Sequence, residues 1–289
     1  MWNEHTSIDD TEVIEIKNLI QQLEIAGEEA FEIQNNLDAA SEAVHYPIIF
    51  LIDISKSLKM ELDNLNMAIY NFINDIYKSR TTLSASIDFC MITFNGKVKV
   101  RRPFGYISEE DCENNCKAYT IQNGELCGKT YMASALFTAW HVAEQRKKMY
   151  QEAGIRRYKP PIFVLISDLG NNELTEVNDG YLIHHIVELF NQKGSESHHK
   201  LALLKALYGE TAPEYDDYLD GIQLDAPENF GKAIHELFSQ LLFTIEWQNE
   251  NEEDEDDTYI FIPKAKGSVE QDANSKDYSA LFGNMTLKH

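Results

Sequence analysis

Asp53, Ser55 and Ser57 stand at alternating positions directly after the apolar run Ile48-Ile49-Phe50-Leu51-Ile52. One carboxylate and two hydroxyls at this spacing can converge on a small, hard cation. Magnesium takes oxygen ligands in octahedral geometry and often keeps several waters. Thr130 adds a hydroxyl at the opening of a strong helical pattern, in Gly128-Lys129-Thr130. Asp168 adds a second carboxylate after the apolar run Ile162-Phe163-Val164-Leu165-Ile166, in Ser167-Asp168-Leu169-Gly170. A plainer reading makes Asp53 and its serines the N-terminal caps of the next helix, because such side chains accept from the first free helical N–H groups. That reading leaves Thr130 and Asp168 without a part.

The elements that must position these residues are legible as alternating strands and helices. Short apolar runs bounded by polar residues read as strands buried on both faces. Asp53 and Asp168 then lie at the C-terminal edge of a sheet, where ligands bind in open α/β folds. Leu58, Leu62, Leu65, Ile69, Phe72 and Ile76 recur at steps of three and four and predict one face of a long helix. Residues 86–94 predict the next strand, and Asn95-Gly96 predicts a hairpin into a half-exposed strand carrying Val98 and Val100. Arg101 to Gly128 reads as a long polar connection beside the site. Helical stripes follow at Met132, Leu136, Phe137 and Trp140, at Leu182, Ile183, Ile186, Val187 and Phe190, and after Pro227 at Phe230, Ile234, Leu237, Phe238 and Leu241. Residues 201–207 read as a late strand. This alternation predicts a parallel sheet with helices on both faces.

The order D-x-S-x-S, then Thr130, then the strand-end Asp168 resembles the metal-ion-dependent adhesion site (MIDAS) of von Willebrand factor A (vWA) domains. The resemblance implies a Rossmann-like open, mostly parallel sheet with one antiparallel edge strand. It implies that Ser55, Ser57 and Thr130 approach a Mg2+ (or Mn2+) ion while Asp53 and Asp168 act largely through bound water. It further implies a non-enzymatic module whose ion accepts an acidic side chain from a partner protein. The late aspartate-proline turn, Asp225-Ala226-Pro227, and the helix after it resemble bacterial tellurium-resistance-type members. Intracellular members work as adaptors beside ATPases, kinases or phosphatases, which implies a stress-response, signalling or defence complex. Two positions depart from the commonest pattern: Lys56 stands where glycine is usual, and Leu169 stands where glycine follows the aspartate. Lys56 either points to solvent or competes with the cation; the second case gives a structural subunit with a degenerate site.

Composition narrows the partners. The chain has 289 residues, 43% hydrophobic content and a net charge of −23, enough for a sizeable core and too acidic for a phosphate-backbone partner. The same charge disfavours anionic membranes. No apolar stretch reaches the length of a membrane span, and Met1 to His5 show no basic, apolar leader, so the expected location is cytoplasmic. The expected organisation is an acidic extension over 1–45, a vWA domain over 46–248, and an acidic linker and tail over 249–289. The N-terminal extension is open between helix and strand, around Val13 to Leu23. From Glu250 to Asp257 every residue except Asn251 is acidic, a pattern of disordered linkers. Residues 258–263 follow as a docking peptide or as a last strand on the chain's own core, with Tyr278 to Phe282 a fainter candidate.

Other chemistry-bearing residues carry less. Cys90 reads as a core thiol. Cys112, Cys116 and Cys127 have spacings unlike paired zinc ligands and read as free thiols, with a zinc site completed by His141 as the alternative. Gly124 to Thr130 looks like a phosphate-binding loop one residue short, and no buried strand precedes it. Asp53 lacks the second aspartate, at Ser55, that an aspartate-nucleophile phosphatase needs. No G-x-S-x-G elbow is present. A metal-dependent phosphatase or nucleotide-using enzyme drawing on Asp53, Asp168 and Lys129 is the alternative function. The pairs His184-His185 and His198-His199 cannot face one way on a helix and read as surface or packing residues.

Overall fold

The computed structural model of the chain describes residues 43–79, 81–113, 119–168, 202–207, 222–223 and 230–250. Its centre is strand β1, Tyr46–Asp53, buried at every position. Strands β2 (Ile87–Phe94), β3 (Val98–Tyr106), β4 (Ile162–Ser167), β5 (Ala202–Leu207) and β6 (Ile222–Gln223) complete one sheet in the order β3-β2-β1-β4-β5-β6. All neighbours pair in parallel except β2 with β3, which form an antiparallel edge hairpin. β1 and β2 are buried at every position because parallel strands carry helices on both faces. The expected α/β fold, an open and mostly parallel sheet with one antiparallel edge strand, is therefore present.

Alternation along the strands divides the core. Ile48, Phe50 and Ile52 of β1, with Phe89 and Met91 of β2, face helices α1 (Leu62–Asn74) and α3 (Phe230–Glu250). There Phe50 stacks on Phe238 at 4.6 Å and meets Phe89 edge-on at 4.8 Å, with Phe72 closing the cluster. Helix α2, Met132–Glu152, packs against β1, β2 and β3 from the other side. The first predicted helix divides into a 3-10 turn at Lys56–Met60, α1, and a π-turn at Asp75–Ser79. A short helix at Thr81–Ser84 follows.

The polar connection expected from Arg101 to Gly128 needs correction. Its first residues continue β3 to Tyr106, and Glu109–Glu113 is helical. The misreading came from Arg102, which is 7% exposed. Its guanidinium donates to the carbonyls of Phe89, Gly105 and Tyr106 and to Asp111, and its Nε to the Tyr119 hydroxyl. A charge so completely paired can occupy an edge strand, and the ladder is irregular where Met91 faces it. Pro103 is tolerated there because β3 lies at the sheet edge.

At the N-terminal end of the strands, opposite Asp53, lies a second buried polar group. Arg146 of α2 donates to Asp88 of β2, and the Tyr150 hydroxyl donates to the same carboxylate oxygen. His45 stacks on Tyr150 and shares a 2.9 Å hydrogen bond with the Tyr106 hydroxyl. Asp88 and His45 are 0% exposed, and the Arg146 side chain is 1% exposed. The helix expected at 182–190, residues 1–42 of the N-terminal extension, both histidine pairs, Cys116 and the tail beyond Glu250 lie outside the described residues.

Candidate metal centre

Asp53 is the last residue of β1, and its carboxylate is fully buried. The local chain holds it there through two hydrogen bonds. The Ser55 backbone N–H donates to Oδ1 at 2.8 Å, which turns the chain sharply as it leaves the strand. The Ser167 hydroxyl, at the end of β4, donates to Oδ2 at 2.9 Å. Ser55 Oγ and Ser57 Oγ lie 2.7 Å apart, so the two hydroxyls reach the same point. Ser55 is 6% exposed, while Ser57 faces solvent on the 3-10 turn. Carboxylate and serines thus form one connected group of oxygens at the C-terminal edge of the sheet.

Thr130 reaches this edge through a backbone tether. Cys127 pairs with Ser55 as a parallel bridge: Lys56 N–H donates to Cys127 O at 2.9 Å, and Cys127 N–H donates to Ile54 O at 3.3 Å. On its far side, Tyr131 N–H donates to Asn95 O at 2.8 Å, and the Asn95 side chain donates to Glu125 O at 3.1 Å. Arg101 clamps the same loop through Glu125 and the Thr120 carbonyl. Thr130 is 6% exposed and directly precedes Tyr131, which caps α2. Asp168 follows β4 and is half-buried.

The electrostatics suit a cation. Burial, followed by the negative charge of Asp168, pushes the Asp53 carboxyl up to about 7, against the lowering effect of its Ser55 and Ser167 hydrogen bonds. A dication beside Asp53 and Asp168 would offset the cost of ionising Asp53. All the donors are carboxylate or hydroxyl oxygens, the set preferred by magnesium or manganese over softer metals. The residues therefore fit a hard dication. Lys56 is exposed, and its backbone rather than its ammonium engages the Cys127 loop.

Each candidate residue falls at one edge of the sheet. Asp53, Ser55 and Ser57 are joined by hydrogen bonds, Asp168 by its charge, and Thr130 by the tether. Ser167 is the member that the sequence reading left without a role. Its signal was the register: Ile52 pairs with Ile166, so the next residues on the two parallel strands, Asp53 and Ser167, emerge side by side. Among the described residues no three His, Cys, Asp or Glu side chains gather as a metal site. Cys90, Cys112 and Cys127 are free thiols, and burial pushes the Cys90 thiol well up. The loop resembling a phosphate cradle holds a 3-10 turn at Asn123–Glu125 and the Cys127 bridge, and among the described residues no buried strand leads into it.

No family model and no curated protein matches the chain. Solved structures do. The chain is similar to the open conformation of the pilus adhesin SpaC from Lactobacillus rhamnosus GG, with 11% identity, 75% of this chain and 31% of that chain covered, and a TM-score of 0.50. It is also similar to a von Willebrand factor type A protein from Catenulispora acidiphila, with 14% identity, coverages of 68% and 42%, and a TM-score of 0.45. A third similar structure is proximal thread matrix protein 1 from the mussel byssus with a zinc-occupied MIDAS motif, with 16% identity, coverages of 69% and 48%, and a TM-score of 0.45. The chain spans between about a third and a half of the length of these proteins. At such identities the likeness is one of fold, and it agrees with the observed strand order: the chain has a Rossmann-like open, mostly parallel sheet.

Proposed function

We propose that the chain is a non-enzymatic, metal-dependent protein-interaction module. Its site holds Mg2+ (or Mn2+) through Ser55, Ser57 and Thr130, with Asp53 and Asp168 orienting the ion's waters. The ion supplies an open coordination position that accepts a carboxylate from a partner protein. The observation that carries this reading is the single oxygen group made by Asp53, Ser55 and Ser57 under the charge of Asp168. The protein's own residues do the rest. Ser167 and the Ser55 N–H hold the Asp53 carboxylate in one orientation, and the Cys127 bridge presents Thr130 to the same edge. The exposed Lys56 supports a working site over a degenerate one.

The module serves as an adaptor within an intracellular, bacterial complex of the stress-response, signalling or defence kind, beside an ATPase, kinase or phosphatase. Residues 46–248 form the module, with 1–45 and 249–289 as extensions. No helix among the described residues is long and apolar enough to cross a membrane. Capture of partners from lysate on the immobilised chain tests the reading. Partners should be retained in magnesium, released by EDTA, and missing from Asp53→Ala. Retention that ignores both chelator and substitution would sink it.

A further inference from the structure

We propose that the partner carboxylate comes from a second copy of this chain: its acidic segment 250–257 docks on the rim of the metal centre, and its Tyr259 to Ile262 run covers the outer face of α1. The coordinating part of this proposal rests on the metal-site reading; the docking surface itself does not.

The first observation is charge. In a chain of net −23, Lys56, Lys59, Lys97 and Lys129 are all exposed and surround one side of the site. Lys56 and Lys59 follow Asp53 on the 3-10 turn. Lys129 precedes Thr130, and its stem packs on Gly96 next to Lys97: a side chain at Gly96 would meet Lys129 Cβ at 3.1 Å. This basic rim calls for an anionic partner segment, and charge complementarity of this kind sets partner choice and encounter rate.

The second observation is apolar. Met60 is 85% exposed, Met67 59% and Tyr70 43%. Met67 and Tyr70 share one face of α1, with the exposed Asp63 a turn before them, and Met60 lies on the 3-10 turn that leads into the helix. A partner for this surface needs an acidic stretch followed closely by apolar side chains. The chain itself carries that pattern in Glu250 to Asp257 and then Tyr259-Ile260-Phe261-Ile262.

The third observation is reach, and it selects a second copy over the same one. α3 begins level with the start of α1, where a side chain at Gly231 would meet Asn64 Cγ at 2.7 Å. It then runs alongside α1, with Phe238 against Phe72. From Gly231 to Glu250 the helix carries the chain about 28 Å away from the site. The residues from Glu250 to Asp257 extend at most about 25 Å. With Glu250 fixed at the far end of α3, the acidic block of one copy cannot lie along its own rim, whereas that of a neighbour is not so limited.

Sedimentation velocity of the full chain, with a labelled peptide of residues 249–264 titrated by anisotropy, tests the proposal. In magnesium the chain should self-associate, and the peptide should bind. Binding should weaken at least ~10-fold on reversing Lys56, Lys59 and Lys129 to Glu, and on raising salt beyond the range of surface screening. Neutralising the six acids from Glu252 to Asp257 to their amides should leave a monomer. A rim-reversed copy mixed with a copy whose tail acids are reversed to Lys should pair again, which controls for misfolding. A monomeric wild type whose peptide does not bind, measured on protein that calorimetry shows to bind magnesium, overturns the docking and spares the metal centre. Salt-sensitive association without magnesium binding keeps the docking and overturns the metal centre.

Discussion

Replacing Asp53 by asparagine should stabilise the metal-free protein at neutral and alkaline pH, although it removes the residue at the heart of the proposed site. Asp53 is 0% exposed and its carboxyl is pushed from 3.8 up to about 7 by burial and by Asp168. A raised carboxyl favours folding while it is protonated. Its contribution is complete below about pH 4, declines as pH rises toward 7, and is lost above that. The rise from 3.8 to about 7 corresponds to about 4 kcal/mol. The introduced amide has the carboxyl's shape, can accept from Ser55 N–H, and can donate to Ser167 Oγ, so the local geometry is kept while the charge is removed. The assay is urea unfolding in EDTA, wild type against Asp53→Asn, at steps from pH 4 to pH 8. Taking the difference at each pH cancels the titrating groups that do not interact with Asp53, His45 included. The two proteins should be equally stable at pH 4, and the variant should lead by about 4 kcal/mol at pH 8, which is about 10 °C in Tm for a domain of this size. A variant as stable as wild type, or less stable, at pH 8 would refute the claim that Asp53 is an electrostatically costly group kept for function. Magnesium should stabilise the wild type alone, and the gain should shrink below pH 7 because binding must displace the Asp53 proton.

Three further outcomes follow from the packing. Arg146→Met leaves Asp88 charged and buried without its cation and should cost about 3–5 kcal/mol, with Asp88→Asn on the same background recovering much of it; denaturant melts of both variants check this. Gly231→Ala drives a methyl into Asn64 and should cost about 1–3 kcal/mol, relieved when Asn64→Ala is added. Phe238→Ala empties the ring cluster with Phe50 and Phe72 and should cost about 3–5 kcal/mol; amide exchange should show α3 losing protection first.

The legible part of this chain was what hydrophobic periodicity and strand-end chemistry write down. The apolar runs around Ile48 and Ile162 became β1 and β4, and the Asn95-Gly96 turn became the edge hairpin. Asp53, Ser55 and Ser57 were visible because a carboxylate and two hydroxyls follow closely on the end of a buried apolar run. What stayed hidden depended on partners distant in sequence. Arg102 looked like a loop residue until Tyr119, Asp111 and three carbonyls paired its charge. Ser167 acquires its role only when β4 is set in register beside β1. The Cys127 bridge, which delivers Thr130, is made of backbone atoms and leaves no mark in side-chain pattern. His45 gave no signal because its partners, Tyr106 and Tyr150, come from β3 and α2.

The central claim is that these oxygens bind a divalent ion, and calorimetric titration of magnesium into the chain at pH 8 tests it most directly. Wild type should show saturable binding at one site, Thr130→Ala should bind at least ~10-fold more weakly through loss of a ligand, and Asp53→Ala should not bind. Lys56→Gly should leave the affinity close to that of wild type, because the Lys56 side chain is exposed. No heat of binding in the wild type, with saturable binding appearing in Lys56→Gly, would contradict the account and make the lysine the occupant of the cation's place.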